Sequence, residues 1–439
     1  MAGTLIASPL LTACRGRSPS PPVILVSIDT LRADHVGCYG YGRPTTPNVD
    51  LFRRDAILFR QTIAQAPSTL PSHASMLTSL IPPHHTASVA NNRALPADVL
   101  SLPTLLKRHG YATASFNGGV QLHAVWGLDQ GFETYESVRP QKTASDSLSD
   151  PRDRLAHTLD MARAWIERHR AGPFFLFLHA YEVHHPYTPD AEHLAPFRGD
   201  YAGRLPDHIS VDLLREINAH KTAIDDKDRQ HIVDAYDGEI HSMDAAFGKF
   251  VELLKQTGLY DPSLIVFTSD HGEEFGEHGS MGRHAHTLFD ELLRVPLLIK
   301  LPASRLGGTT DEAQAQGIDL APTVLGVLGL AVPGQFEGRD LLDPGTARRD
   351  EALSTRDVLD PNTSMSVRTA EWKLYDGRLF HLSSDARERL NVAGDNLEVA
   401  RTLRGRLKAI LAGRSIPSKR AAAPDEELQE RLRSLGYVQ

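Results

Sequence analysis

Apolar residues gather along this chain in five short runs, at residues 23–28, 111–116, 174–178, 263–268 and 295–299. Runs this short, with little polar alternation, read as strands buried on both faces, the habit of parallel sheets. Helical periodicity fills the gaps between them. Residues 102–109 form one such segment, closed by Gly110 as a C-cap. Leu155, Leu159, Ala162 and Ile166 share one helical face, and so do Ile240, Met243, Phe247 and Val251. Strands alternating with helices predict a doubly wound α/β fold, with a mostly parallel central sheet and helices on both faces.

From about Asp319 the pattern changes. Residues 320–330 read as a helix and 333–344 as a loop-rich stretch. Residues 367–375 and 378–382 read as a hairpin around Asp376-Gly377, followed by an amphipathic helix at 397–411 and a last helix at 426–435. The expected organisation is a leader and tether at 1–22, a catalytic α/β domain at 23–345 and a small C-terminal α+β subdomain at 346–439.

The chain has 439 residues, 41% of them hydrophobic, enough for one large core and an appended unit. A formal net charge of −8, with the signs interspersed, gives no electrostatic case for a nucleic-acid partner. No apolar run reaches the ~20 residues that span a bilayer. Two cysteines, Cys14 and Cys38, rule out a disulfide framework. Leu11-Thr12-Ala13-Cys14 follows a short apolar stretch and resembles a bacterial lipobox, which implies export to the periplasm or outer envelope and a lipid on Cys14. The Ser18-Pro19-Ser20-Pro21-Pro22 stretch would then be a stiff tether.

Candidate chemistry sits where the strands end. In open α/β sheets, ligands bind beyond the carboxyl ends of the strands. The first run delivers Asp29 and the second Asn117. The third delivers His179, Glu182, His184 and His185, and the fourth Asp270 and His271. Thr69 precedes Pro71, which suits the first turn of a helix. A hydroxyl at a helix N-terminus feels the positive end of the dipole, which favours an alkoxide and an incoming anion. Asp29, Thr69, Asp270 and His271 are therefore expected to gather around one divalent cation, with Thr69 activated as a nucleophile.

These residues resemble the sulfatase branch of the alkaline phosphatase superfamily from about Val23 to Leu411. The resemblance is carried by Ser27-Ile28-Asp29-Thr30-Leu31-Arg32-Ala33-Asp34, Thr46-Pro47-Asn48-Val49-Asp50 and Leu70-Pro71-Ser72-His73-Ala74-Ser75. It continues through Tyr236-Asp237 to Asp244, Ser269-Asp270-His271-Gly272-Glu273, Arg294-Val295-Pro296-Leu297 and Trp372-Lys373-Leu374-Tyr375. Sulfatases place a cysteine or serine two residues before the motif proline and oxidise it to formylglycine. Here that residue is Thr69, with Ser68 one step out of register. The usual motif arginine is His73, the second N-terminal aspartate is Thr30, and the lysine of the strand-two loop is Asn117.

Each departure is similar to relatives with a threonine nucleophile, the nucleotide pyrophosphatase/phosphodiesterases and the lipoteichoic acid synthase and phosphoethanolamine transferase group. The resemblance implies that Asn117 holds a phosphoryl oxygen. It also implies that His184, His284 or His286 touches the transferred group and assists the leaving oxygen, with Arg283 or His284 in the place of a sulfatase lysine. One cation is expected, with Mn²⁺, Ca²⁺, Mg²⁺ and Zn²⁺ all open. The two-metal members imply an alternative in which Glu182, His184 or His185, and His286 hold a second ion.

Chemistry points the same way, because a sulfated threonine lacks the hemiacetal exit of formylglycine, whereas a phosphothreonine can be discharged by water or an alcohol. The expected reaction is a ping-pong displacement on a phosphorus ester of a small molecule, glycan or lipid. The rivals are a sulfate-ester hydrolase without formylglycine, an envelope phosphoryl-group transferase and a non-catalytic binding relative. Glu273, Glu274, Glu277 and His278 read as a solvated loop or supporting contacts. Asp237, Glu239 and Asp244 read as structural contacts of a helix, Cys38 as a small buried residue, and His73 as a partner of Thr69 or a packing residue.

Overall fold

The computed structural model describes residues 20–137, 154–345, 350–356, 364–412 and 419–434. Cys14 and its lipobox-like surroundings lie outside them. A nine-stranded, mostly parallel sheet runs through the main body. Its strand order is Arg294–Val295, Ile57–Ile63, Leu297–Lys300, Leu264–Ser269, Val23–Ile28, Phe174–Ala180, Ala112–Asn117 and Thr134–Ser137, with Thr310–Gln316 also paired to Ile57–Ile63.

Strand Val23–Ile28 is central, and its alternate side chains show why helices cover both faces. Ile24, Val26 and Ile28 pack with Tyr236, Ile240, Met243 and Phe247 of the long helix Asp226–Gln256, and with Leu155, Ala162 and Ile166 of helix Leu155–His169. Val23 and Leu25 pack the other way, with Leu70, Ala74 and Leu77 of helix Thr69–Thr78 and with Leu102 and Leu106 of helix Leu102–Arg108. Each of the larger aliphatic and Phe or Met side chains contributes about 1.5–3 kcal/mol by leaving water. The fold is the doubly wound α/β arrangement that the periodicity predicts.

Register sets the site. Ile28 lies opposite Ala180 on one side and Ser269 on the other. Asp29, Tyr181 and Asp270 therefore leave the sheet at one level. On the next strand Phe116 pairs with Leu178, which brings Asn117 level with His179.

Some elements differ from expectation. The run at 295–299 is not a parallel strand. It breaks at Pro296 into Arg294–Val295 and Leu297–Lys300, and the second piece is antiparallel to both Leu264–Ser269 and Ile57–Ile63. Burial on both faces makes a run apolar whatever its direction. Here the chain returns through a small hairpin, Glu274–Phe275 with Met281–Arg283, and the short helix Asp290–Leu293, not through a crossover helix. Strands Ile57–Ile63, Thr134–Ser137 and Thr310–Gln316 carry polar residues and gave no apolar run.

Near the C-terminus, the stretch at 367–375 is two strands, Met365–Arg368 and Trp372–Tyr375, turned at Thr369, whose Oγ1 accepts from Trp372 N. With Ala352–Thr355 and Arg378–His381 they form a four-stranded antiparallel sheet. Helix Leu397–Leu411 packs Ala400 and Leu403 against it. Helix Glu426–Ser434 closes the described chain.

Candidate active site

Three loops leaving the sheet and one helix start build the site. Asp29 ends the central strand and is fully buried. The helix Thr69–Thr78 begins at Thr69, with Ser68 as its N-cap, and every residue in it is buried. Four bonds pin this helix start. His73 Nδ1 donates to Thr69 O at 2.9 Å one turn back, while its Nε2 lies 2.9 Å from Ser27 Oγ. Ser72 Oγ donates to Asp270 O at 2.7 Å, and Leu70 N donates to Gln121 Oε1 at 3.0 Å.

The four expected ligands come together. Thr69 Oγ1 lies 3.3 Å from Asp29 Oδ2. His271 Nε2 lies 3.4 Å from Asp270 Oδ2 and 3.8 Å from Asp29 Oδ1. Ligand atoms of Asp29, Asp270 and His271 all fall within 4.8 Å of one another. Asp270 Oδ1 accepts from His271 N and Thr30 N, whereas its Oδ2 has no hydrogen bond. His271 Nδ1 donates to Gly272 O, which fixes the lone pair on Nε2, and that atom has no hydrogen bond either.

Burial pushes Asp270 up and lowers His271 to about 4, so the imidazole stays neutral, the form that binds metals. Buried polar atoms without partners are costly. Two carboxylates, a neutral imidazole and a hydroxyl converging this way fit a divalent cation.

A second cluster stands beside the first, with the His284 ring 4.8 Å from that of His271. His184, His185 and His284 bring ring nitrogens within 4.8 Å of one another. Glu273 Oε1 accepts from both His185 Nδ1 (2.7 Å) and His284 Nδ1 (2.9 Å), and its Oε2 accepts from Tyr187 Oη. Burial would raise Glu273, but His185 and His284 outweigh it and hold the carboxylate well below its usual range. Burial keeps His184 and His284 neutral, the latter at about 4.

Three expectations need correcting here. Of the two readings for Glu273 and Glu274, the solvated loop falls and the supporting contact holds, since both are fully buried and Glu273 carries His185 and His284. Glu182 does not join the histidines. Its Oε2 accepts from Leu155 N, so it sits at the N-terminus of helix Leu155–His169, where the dipole favours a carboxylate. His286 pairs with Glu274 Oε2 at 3.0 Å, outside the His184–His185–His284 grouping. The combination of Glu182, His185 and His286 is therefore not brought together.

Of the two residues weighed for the place of a sulfatase lysine, Arg283 is exposed and His284 is in the cluster. Asn117 is fully buried. Its Nδ2 donates to Ser115 Oγ, and its Oδ1 accepts from Gly119 N and Ser137 Oγ, anchoring the turn after its strand. Beside that turn lies a cavity of about 840 Å³, lined among others by Gly119, Tyr135, Ser137, His157 and Arg431.

His179 was named only as a strand-end residue. It is fully buried, with Nε2 3.5 Å from Asp29 Oδ2, and it forms a third grouping with His73 and Asp270. Strain marks the neighbourhood too. Thr30, Val183 and Ala285 adopt φ of 53°, 89° and 61° beside Asp29, His184 and His284. Non-glycine residues held at positive φ cluster at functional sites. Cys38 stands apart, half-buried, and burial together with Asp50 pushes its thiol up to about 12.

Residues 21–330 match the family model described as Sulfatase. The chain belongs to the sulfatase family. This sulfatase-family chain is 26% identical over 393 residues to the multifunctional alkaline phosphatase superfamily protein PehA of Trinickia caryophylli, covering 73% of the chain and 76% of PehA. It is 24% identical to arylsulfatase K of Xenopus laevis, covering 90% of the chain and 83% of that protein. The phosphonate monoester hydrolase of Agrobacterium radiobacter has the same fold. The TM-score is 0.73 at 21% identity, with 89% of this chain and 95% of that one covered. Family membership makes the chain an ester hydrolase whose described residues include His/Asp groupings suited to a metal.

Proposed function

We propose that this sulfatase-family hydrolase cleaves phosphorus esters (phosphodiesters, phosphomonoesters or phosphonate monoesters) through a covalent intermediate on Thr69. One observation carries the reading. The residue at the helix start, beside Asp29, Asp270 and His271, is a threonine. The described cysteine, Cys38, stands half-buried in the Gly37–Tyr39 turn, with its backbone N–H on Asp50 Oδ1. A threonine cannot be oxidised to the aldehyde on which formylglycine sulfatases depend.

A divalent cation held by Asp29, Thr69, Asp270 and His271 would supply positive charge to the transferred group and lower the pKa of the Thr69 hydroxyl. The chain's own groups do the rest. The Thr69 hydroxyl points its proton at Asp29 Oδ2, so the carboxylate can take that proton as Oγ1 attacks in line. The helix dipole favours the anion that arrives at Thr69. For Asn117 only the family resemblance supports contact with a non-bridging oxygen, since its side chain is spent on Ser115, Gly119 and Ser137. As the Thr69 Oγ1–P bond forms, the P–O bond to the leaving group breaks. The leaving oxygen departs as an alcohol with the proton that Asp29 took, passed on by His184 or His284, whose Nδ1 atoms are held by His185 O and Glu273 Oε1. The same histidine then takes a proton from the water or alcohol that clears the phosphothreonine.

The resemblance to PehA and to a phosphonate monoester hydrolase supports phosphorus as the reacting centre. The arylsulfatase relatives support a second reading, sulfate-ester hydrolysis without formylglycine. Parallel kcat/KM values on 4-nitrophenyl phosphate, its phosphodiester, its phenylphosphonate and its sulfate decide between them. The proposal expects one phosphorus ester to lead the sulfate by at least about a hundredfold. The reverse order makes the protein a sulfatase, and a product carrying an added acceptor alcohol makes it a transferase.

A further inference from the structure

His179 is the one imidazole at this sheet edge whose two nitrogens are both buried without a hydrogen bond among the described residues. The side chain is fully buried, held on the last turn of strand Phe174–Ala180 by Phe177, Tyr181 and His73, whose rings lie 5.0–6.5 Å away. A neutral imidazole always carries one donor and one acceptor, so leaving both unsatisfied is costly.

Its position explains the cost. Around a cation with bonds of about 2.1 Å, neighbouring ligand atoms sit about 3–3.5 Å apart. The separations at this site are of that size. They are 3.3 Å from Thr69 Oγ1 to Asp29 Oδ2, 3.4 Å from His271 Nε2 to Asp270 Oδ2 and 3.5 Å from His179 Nε2 to Asp29 Oδ2. His73, the other imidazole of that grouping, is already used. Its Nδ1 donates to Thr69 O and its Nε2 faces Ser27 Oγ, so it orients the helix start.

We propose that His179 Nε2 is a further ligand of the cation held by Asp29, Thr69, Asp270 and His271. With His271 it makes a two-imidazole donor set, which selects a borderline transition-metal ion over Ca²⁺ or Mg²⁺, both of which prefer oxygen. The inference rests on the cation assigned above but not on the chemistry of the substrate.

The test therefore needs no substrate. Zinc and calcium affinities are measured by competition with a chelating dye for the full-length protein and for His179→Gln, each checked for native circular dichroism. We expect zinc to bind His179→Gln at least tenfold more weakly, with calcium affinity changed less than twofold. Equal zinc affinity in a folded His179→Gln overturns the proposal. Should that variant not fold, X-ray absorption on a His185→Gln/His284→Gln protein loaded with one equivalent of zinc decides. Two imidazoles per zinc sustain the assignment, and one refutes it. An ester panel that favoured sulfate would leave these results standing, whereas loss of zinc binding only on Asp29→Asn, with His179→Gln normal, would sink this inference alone.

Discussion

The hydroxyl of Thr69 and Oδ2 of Asp29 face each other across 3.3 Å, although 40 residues separate them in the chain. One sits at the first turn of a helix and the other at the end of the central strand. The contact gives the proposed nucleophile and its proposed proton acceptor one geometry. Thr69→Ala should lower kcat by about a thousandfold or more, while Thr69→Ser retains a measurable fraction. Steady-state assays on the preferred ester check this. An alanine variant with near wild-type turnover would move the nucleophile elsewhere.

Asp270 is buried and raised by that burial, so a bound cation and the carboxylate would stabilise each other. Removing metal with a chelator should lower the melting temperature by several degrees, since a ligand at a thousand times its Kd contributes about 4 kcal/mol. Asp270→Asn should reverse part of the effect. Without metal, the variant should melt no lower than the metal-free wild-type chain, because it no longer buries an unpaired charge. Scanning calorimetry of the four samples tests both halves, and a metal-free wild-type chain as stable as the loaded one contradicts them.

His85 lies under the helix that carries Thr69, and it supplies a pH dependence away from the metal. Ala87 N donates to its Nδ1, and its Nε2 faces Pro71 O and Ser75 Oγ at 3.1 Å each. Burial lowers it from 6.5 to about 3. The unfolded chain therefore binds the extra proton first. Stability from this group is complete above pH 6.5 and declines as pH falls towards 3, by up to about 1.4 kcal/mol per pH unit. Urea midpoints between pH 7 and 4.5 should fall less steeply in His85→Gln than in the wild type. Parallel slopes would show that His85 does not titrate this way.

Gly272 lets the Asp270-His271 loop pass against the backbone of Glu291. A Cβ at this position would meet Glu291 O at 2.0 Å, and Gly272 N donates to Leu292 O at 2.8 Å. Gly272→Ala should cost about 1–3 kcal/mol of stability and weaken metal binding together, because the loop must shift. Unchanged melting and metal affinity would show that the loop has slack.

The strand ends were legible because burial on both faces writes an unbroken apolar run, and the register then carries Asp29, Asn117 and Asp270 to one edge. Direction was not legible. Leu297–Lys300 is as apolar as its neighbours but runs antiparallel, since nothing in a buried run records which way the chain travels. The second acid of the site was also hidden. Glu182 is the nearer acid along the chain, three residues from His185, whereas Glu273 is 88 residues away from it. Val183, at a φ of 89°, turns Glu182 away towards helix Leu155–His169, and spacing alone carries no such turn. His179 is among the strand-end candidates of the sequence, but its place beside Asp29 was not legible. The strand runs two residues past the expected end at 178, so the histidine points inward from the sheet and not from a loop.

The claim on which the account turns is a phosphoryl group passing through Thr69. Acid-quenched turnover of a phosphorus ester, followed by peptide mass spectrometry, tests it most directly. The account predicts one phosphoryl group on the peptide containing Thr69, localised to that residue and absent from Thr69→Ala. Turnover with no modified peptide, or with the group on Ser68 or Ser72, would contradict it.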